Sequence, residues 1–200
     1  MTRTFISLDL SNEAREALRR ELRRLERALP GVRMTDPASL HLTLAFLGEL
    51  EDEALATIIA LTGEVARQSP PFRLALKGLG VFGPPTSPRV VWAGVGGDTR
   101  RLLALQRRLA DALEAQGYPR EQRPFAPHLT LARLSRPLDE AAYLRLRALL
   151  DARAPQSANW PVAEVQVMRS ELSALGARYT ALSIAQLVGE RPRADTQPDT

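Results

Sequence analysis

The chain has 200 residues, 44% of them hydrophobic, enough for a real core in one domain or two closely packed lobes. It has no cysteine, which excludes disulfides, a thiolate nucleophile and a thiolate metal site. The formal net charge is +4, carried almost entirely by arginine, since Lys77 is the only lysine; this is compatible with a polyanionic substrate without pointing to one.

The N-terminus, Met1 to Asp9, carries charge inside its apolar stretch and does not read as a signal peptide. No run approaches the length of a membrane span. A cytoplasmic protein without a membrane partner is expected, and no heptad or broad apolar face asks for a second subunit, so a monomer is expected.

In chain order, Phe5 to Leu10 alternates as a strand. Ser11 is a candidate N-cap for a helix with Leu18, Leu22, Leu25 and Leu29 on one stripe. Its other faces mix arginine and glutamate and read as a solvated surface, with an RNA-contacting face as the rival reading. Pro30-Gly31 ends it. Val32 to Asp36 suggests a short strand, and a further strand from His41 is expected to stop at Gly48. Glu51 to Gln68 reads as a helix and Phe72 to Phe82 as a strand, before the turn-rich midpoint at residues 83–88.

The pattern then restarts. Arg89 to Val95 is a strand, Asp98 a candidate N-cap, and Leu102, Leu105, Leu109 and Leu113 a helical stripe. A second strand from His128, a helix from Asp139 to Ala152, and closing strands at Val162 to Ser170 and Tyr179 to Leu187 follow. The tail, residues 189–200, reads as disordered.

The strongest signal is a tetrapeptide that occurs twice. His41-Leu42-Thr43-Leu44 returns as His128-Leu129-Thr130-Leu131, and the chain has no other histidine. With this chain's Leu and Thr usage, a given His precedes Leu-Thr-Leu on the order of one time in a thousand. The register agrees on both sides: Phe5 lies 36 residues before His41, and Trp92 lies 36 before His128. Ser11 then falls on Asp98. This is an internal repeat of strand, helix, motif strand, helix, strand.

The expected architecture is α+β: one bilobal domain over residues 1–188. Its two pseudo-twofold lobes would be roughly 3–83 and 88–188, with mostly antiparallel sheets lining a central cleft and helices outside.

Side chains alternate along a strand, so His41 and Thr43 share one face and His128 and Thr130 another. If both faces meet, the cleft gains two imidazoles and two hydroxyls. Two imidazoles can hold one proton between them near neutrality, one acting as general base and the other as general acid. That division suits in-line displacement at phosphorus, with the threonines binding the non-bridging oxygens. A cyclic phosphodiester would need no metal. Two histidines without His-x-x-x-His spacing make a sparse ligand set. No serine elbow, Walker loop or dinucleotide fingerprint is present. No metal and no cofactor are expected.

The paired His-x-Thr-x motifs resemble the 2H phosphoesterase superfamily, and within it the RNA 2',3'-cyclic phosphodiesterase family, also called 2'-5' RNA ligase. Other stretches share the likeness: Phe5 to Leu10, His41 to Gly48, Gly78 to Phe82, Pro88 to Val95, Arg123 to Leu134 and Arg169 to Leu172. The resemblance implies hydrolysis of RNA 2',3'-cyclic phosphate ends, tRNA fragments or nucleotides among them, to 2'-phosphates. His41 would be the proton donor and His128 the proton acceptor, with Thr43 and Thr130 on the phosphate.

It also implies a 2'-5' joining activity and a phosphate contact by Arg133. Strict alternation puts Arg133 on the face away from His128, so that contact requires a twist or bulge in the strand. Phe5, Trp92 and Tyr179 are candidates to stack on a base, with core packing as the competing role for each. The other readings of the same cleft are a nucleotide- or RNA-end-binding module without turnover, and an esterase for small cyclic nucleotides.

Overall fold

The computed structural model describes residues 1–84, 86–152, 158–173 and 176–190. The expected disordered tail falls outside the described residues from 191 onward. Gly189 is held, its N–H donating to the Ser69 carbonyl at 3.0 Å.

The elements run β1 (Thr2–Leu8), α1 (Asn12–Ala28), a 3-10 turn (Pro37–Ser39), β2 (Leu42–Leu50), α2 (Asp52–Arg67), β3 (Phe72–Phe82) and β4 (Val90–Gly97). Then come α3 (Thr99–Ala115), β5 (His128–Arg133), α4 (Glu140–Asp151), β6 (Asn159–Val162), β7 (Glu164–Ser173) and β8 (Gly176–Gln186). The fold is α+β, as the sequence suggests.

Helix α1 forms where the apolar stripe and its cap coincide. Ser11 Oγ accepts from the Ala14 N–H at 3.2 Å, and Glu13 sits in the first turn, where the helix dipole favours it. Leu18, Leu22 and Leu25 are buried, each contributing about 1.5–3 kcal/mol by removal from water. On the outer face Arg19 pairs with Glu16, an exposed pair that is worth little and matches the solvated-face reading. Glu21 departs from that reading: its side chain is buried, with its carboxylate accepting from Arg24.

Helix α3 buries Leu102, Leu105, Leu109 and Leu113, the stripe read from the sequence. Asp98 stands at its N-cap but makes no side-chain cap bond; its carboxylate accepts from Arg101 instead.

Two four-stranded antiparallel sheets carry the site, ordered β2-β1-β7-β8 and β5-β4-β3-β6. These sheets do not follow the two halves of the chain, so the expected lobe limits at 83 and 88 do not separate them. Strand β3, the last strand of the first repeat, pairs with β4 of the second. Strand β7, in the matching position of the second repeat, pairs with β1 of the first. Each repeat thus lends a strand to the other's sheet, the first its β3 and the second its β7 with β8 beside it. Periodicity identifies a strand but not its partner, so the exchange leaves no mark in the sequence pattern.

The two motif strands, β2 and β5, occupy equivalent edges. Each carries a bulge at the last leucine of its tetrapeptide. Ser7 pairs with Thr43 and Ile6 with Ala45, which leaves Leu44 without a partner. Trp92 pairs with Thr130 and Val91 with Ala132, which does the same to Leu131. A bulge adds one residue to one strand and reverses the facing of everything beyond it. Leu131 and Ala132 are accordingly both buried although adjacent.

Gly48 does not stop β2. It takes φ of +74° beside a second irregularity, at Leu47, and the strand continues to Leu50. The expected strand at Val32 to Asp36 reduces to one bridge, Met34 to Ala132, joined by the Thr35 N–H donating to the Leu131 carbonyl at 2.7 Å. Those two contacts tie the approach to the first motif onto the second motif's strand. Among the described residues, no helix is long and apolar enough to cross a membrane.

Candidate active site

Both tetrapeptides meet at one cleft of about 100 Å³, lined by Thr35, Ser39, Leu40, His41, Thr43, His128, Thr130, Arg133 and Tyr179. The two imidazoles are anchored alike. His41 Nδ1 lies 2.8 Å from the carbonyl oxygen of Ser39, and His128 Nδ1 lies 2.7 Å from that of Ala126. A carbonyl only accepts, so each ring carries its proton on Nδ1 in the neutral form and leaves Nε2 for a reacting group. In both cases the anchor is the carbonyl two residues earlier. The strand pattern cannot announce it, because it belongs to the loop.

The rings are also packed alike. Phe5 stacks on His41 with centroids 4.6 Å apart, and Tyr179 meets His41 edge-on at 4.9 Å. On the other side Phe82 meets His128 edge-on at 4.8 Å, and Trp92 lies 6.5 Å away. Phe5 is 3% exposed, so it backs His41 and has no surface to offer a base. Core packing, the competing role, is the one it takes.

Tyr179 lines the cleft, and Trp92 is half-buried, packed 5.2 Å from Phe82. A Cβ on Gly80 would come within 2.2 Å of the Trp92 ring, so only glycine lets the indole lie across β3. Phe82 has no role in the sequence reading, although it ends the family-like stretch Gly78 to Phe82.

Arg133 lines the same cleft as His128 and Thr130. The face that strict alternation gives it is corrected by the Leu131 bulge, which turns its side chain back. The equivalent position in the first motif holds Phe46, which is 56% exposed and has the Arg3 guanidinium 4.8 Å from its ring centroid. Thr43 and Thr130 line the cleft, and neither hydroxyl has a hydrogen-bond partner among the described residues. Among the described residues no three histidine, aspartate or glutamate side chains cluster as metal ligands.

Burial pushes His41 below its ordinary imidazole pKa. The Ser39 carbonyl and Asp9 oppose the shift, and the charges of Arg15 and Arg133 add to it. The folded chain therefore favours neutral His41. Stability from this group is present above the unfolded pKa of about 6.5 and is lost as pH falls through the folded value. An anion in the cleft works the other way, because negative charge beside the ring favours the imidazolium.

In an NMR titration, His41 is expected to titrate below 6.5 without ligand and to move upward when inorganic phosphate is added. With only two histidines the spectrum assigns readily. A ligand-free His41 titrating at or above its ordinary value would contradict the burial argument.

Residues 8–174 match the 2'-5' RNA ligase superfamily. The chain belongs to this family. Among its relatives is an RNA 2',3'-cyclic phosphodiesterase of Thermus thermophilus, 35% identical over 199 residues, spanning 98% of this chain and 95% of that protein. Another protein of the same name, from Geobacillus stearothermophilus, is 39% identical over 129 residues. There the match covers 64% of this chain and 41% of the relative.

A solved structure, TT0787 of Thermus thermophilus, superposes with a TM-score of 0.78 at 34% identity, covering 94% of this chain and all of that one. Membership in the 2'-5' RNA ligase superfamily is legible from the paired tetrapeptides. The carbonyl anchors, the bulges and the exchange of strands are not.

Proposed function

We propose that the protein hydrolyses RNA 2',3'-cyclic phosphate ends to 2'-phosphates, with its two histidines as the acid–base pair. The observation that carries this reading is that both motifs line one cleft, each ring held at Nδ1 by a carbonyl with Nε2 left to act. The phosphodiesterase names of the relatives supply the substrate class.

His128 accepts a proton from water, and the oxygen of that water forms a bond to phosphorus. The bond from phosphorus to the ribose 3' oxygen breaks, and His41 donates a proton to that oxygen. The product keeps its phosphate on the 2' oxygen. The two rings end with their protonation exchanged, and solvent restores them. Thr43, Thr130 and Arg133 hold the non-bridging oxygens, where charge accumulates.

A donor must be charged when the leaving oxygen departs. In the empty cleft burial opposes that for His41. The negative phosphodiester favours it, so the substrate helps to charge its own acid. The same groups serve 2'-5' joining when a ribose hydroxyl takes the place of water.

The test is product analysis with an oligonucleotide ending in a 2',3'-cyclic phosphate, with and without EDTA. A 2'-phosphate product at an undiminished rate in chelator is expected. A 3'-phosphate product overturns the assignment of the leaving oxygen, and loss of activity in EDTA overturns the metal-free scheme. Tight binding with no product selects a binding module instead.

A further inference from the structure

We propose that Arg15 is a positioning residue for His41, acting through the turn that carries the ring's anchoring carbonyl. This rests on the reading of His41 as a proton-transfer group. Arg15 stands on α1, outside both motifs, with its side chain 16% exposed and its guanidinium paired to Asp9. One guanidinium nitrogen faces three backbone carbonyl oxygens: Pro37 at 3.0 Å, Ala38 at 3.3 Å and Leu40 at 3.0 Å.

Those residues enclose Ser39, whose carbonyl accepts from His41 Nδ1. The Asp36 carboxylate closes the same turn by accepting the Ala38 N–H at 2.9 Å. A short turn carries few bonds of its own: the Pro37 carbonyl accepts a long bond from the Leu40 N–H at 3.4 Å, and no backbone N–H in the turn reaches the Ala38 or Leu40 carbonyl. A fixed cation gathers these carbonyls to one side and so sets where the Ser39 oxygen points. That oxygen sets the tautomer of His41 and the direction of its Nε2.

The second half of the chain has no cation in the matching place. The residue 87 positions after Arg15 is Leu102, which is fully buried in the core. There the anchoring carbonyl, that of Ala126, lies between Pro124 and Pro127, whose rings fix the backbone directly. The first motif has Pro37 on its approach but no proline next to His41, where Leu40 stands instead. One histidine is therefore set by proline, the other by an arginine clamp. Because the clamp acts on one ring only, it makes a prediction that a general loss of stability would not.

The experiment measures the full-length Arg15→Met variant in two ways. Nitrogen-15 NMR reports the tautomer of each histidine, and kinetics on 2',3'-cyclic AMP report kcat and KM. The expected result is mixed tautomers at His41 with His128 unchanged, and kcat lower by roughly tenfold to a hundredfold with KM within about twofold.

Unchanged His41 tautomers overturn the proposal whatever the rate does, and so does an equal disturbance of both rings. Should Arg15→Met fail to fold, Arg15→Lys carries the same test. It keeps the charge with a narrower set of donors and should disturb His41 alone, to a smaller degree. The NMR arm needs no turnover. A wild-type protein that fails to cleave the cyclic nucleotide while Arg15→Met still disturbs His41 alone would therefore count against the proposed function and not against the clamp.

Discussion

Alanine at His41 or at His128 is expected to lower kcat on a 2',3'-cyclic phosphate by roughly a hundredfold to ten-thousandfold. That is a loss of about 3–5 kcal/mol of transition-state stabilisation. In the proposed scheme each ring moves one proton of the two that the displacement requires, so neither can cover for the other. KM should change by only a few-fold, because the proposed scheme leaves the phosphate to Thr43, Thr130 and Arg133, which line the cleft beside the rings.

The double variant should be little worse than either single one, as expected when two groups serve a single step. His41 packs on Phe5 and Tyr179, so its alanine variant also leaves a gap. Circular dichroism and thermal melting separate that gap from the chemistry. If His128→Ala kept a near-wild-type rate, the two-histidine scheme would fail.

The threonines should give the next largest effect. Valine keeps the shape and the strand preference of threonine and removes only the hydroxyl. Thr43 lies opposite Ser7 on β1, and Thr130 opposite Trp92 on β4, so valine at either site fits the same ladder. Neither hydroxyl is engaged elsewhere among the described residues, so the change removes only the group that the proposed scheme gives to the substrate.

Each Thr→Val change is expected to lower kcat by roughly a hundredfold to a thousandfold if its hydroxyl meets the oxygen on which charge develops. Thr→Ser should restore most of the rate. A valine variant as active as the wild type would mean that Arg133 and backbone amides hold the anion unaided.

What the sequence discloses, and what it conceals, follows from which forces leave a periodic trace. Burial does so. The stripes at Leu18, Leu22 and Leu25 and at Leu102 through Leu113 mark both helices, and Ser11 marks a cap that the structure keeps. Repetition of a chemical group does so as well, which is why His41 and His128 stand out before any fold is known.

Pairing leaves no such trace. Nothing in Phe72 to Phe82 says that it belongs beside β4, and Asn159 to Val162 does not read as a strand because Pro161 interrupts it. The structure accounts for that proline: β6 is an edge strand, where a missing N–H is tolerated. Alternation also fails at Arg133, since a rule of period two cannot anticipate the extra residue at Leu131.

The exchanged strands bear on where such a chain could come from. Cut between β3 and β4, the first half would keep β3 without the neighbour it bonds to, and β1 would lose β7 on one side. A half-length forebear could complete both sheets only as a pair of molecules, each handing a strand to its twin. Gene duplication and fusion would then have joined two parts already dependent on each other. On that view one histidine from each twin built the first reaction centre, and the divergence of Arg15 from Leu102 came after the join.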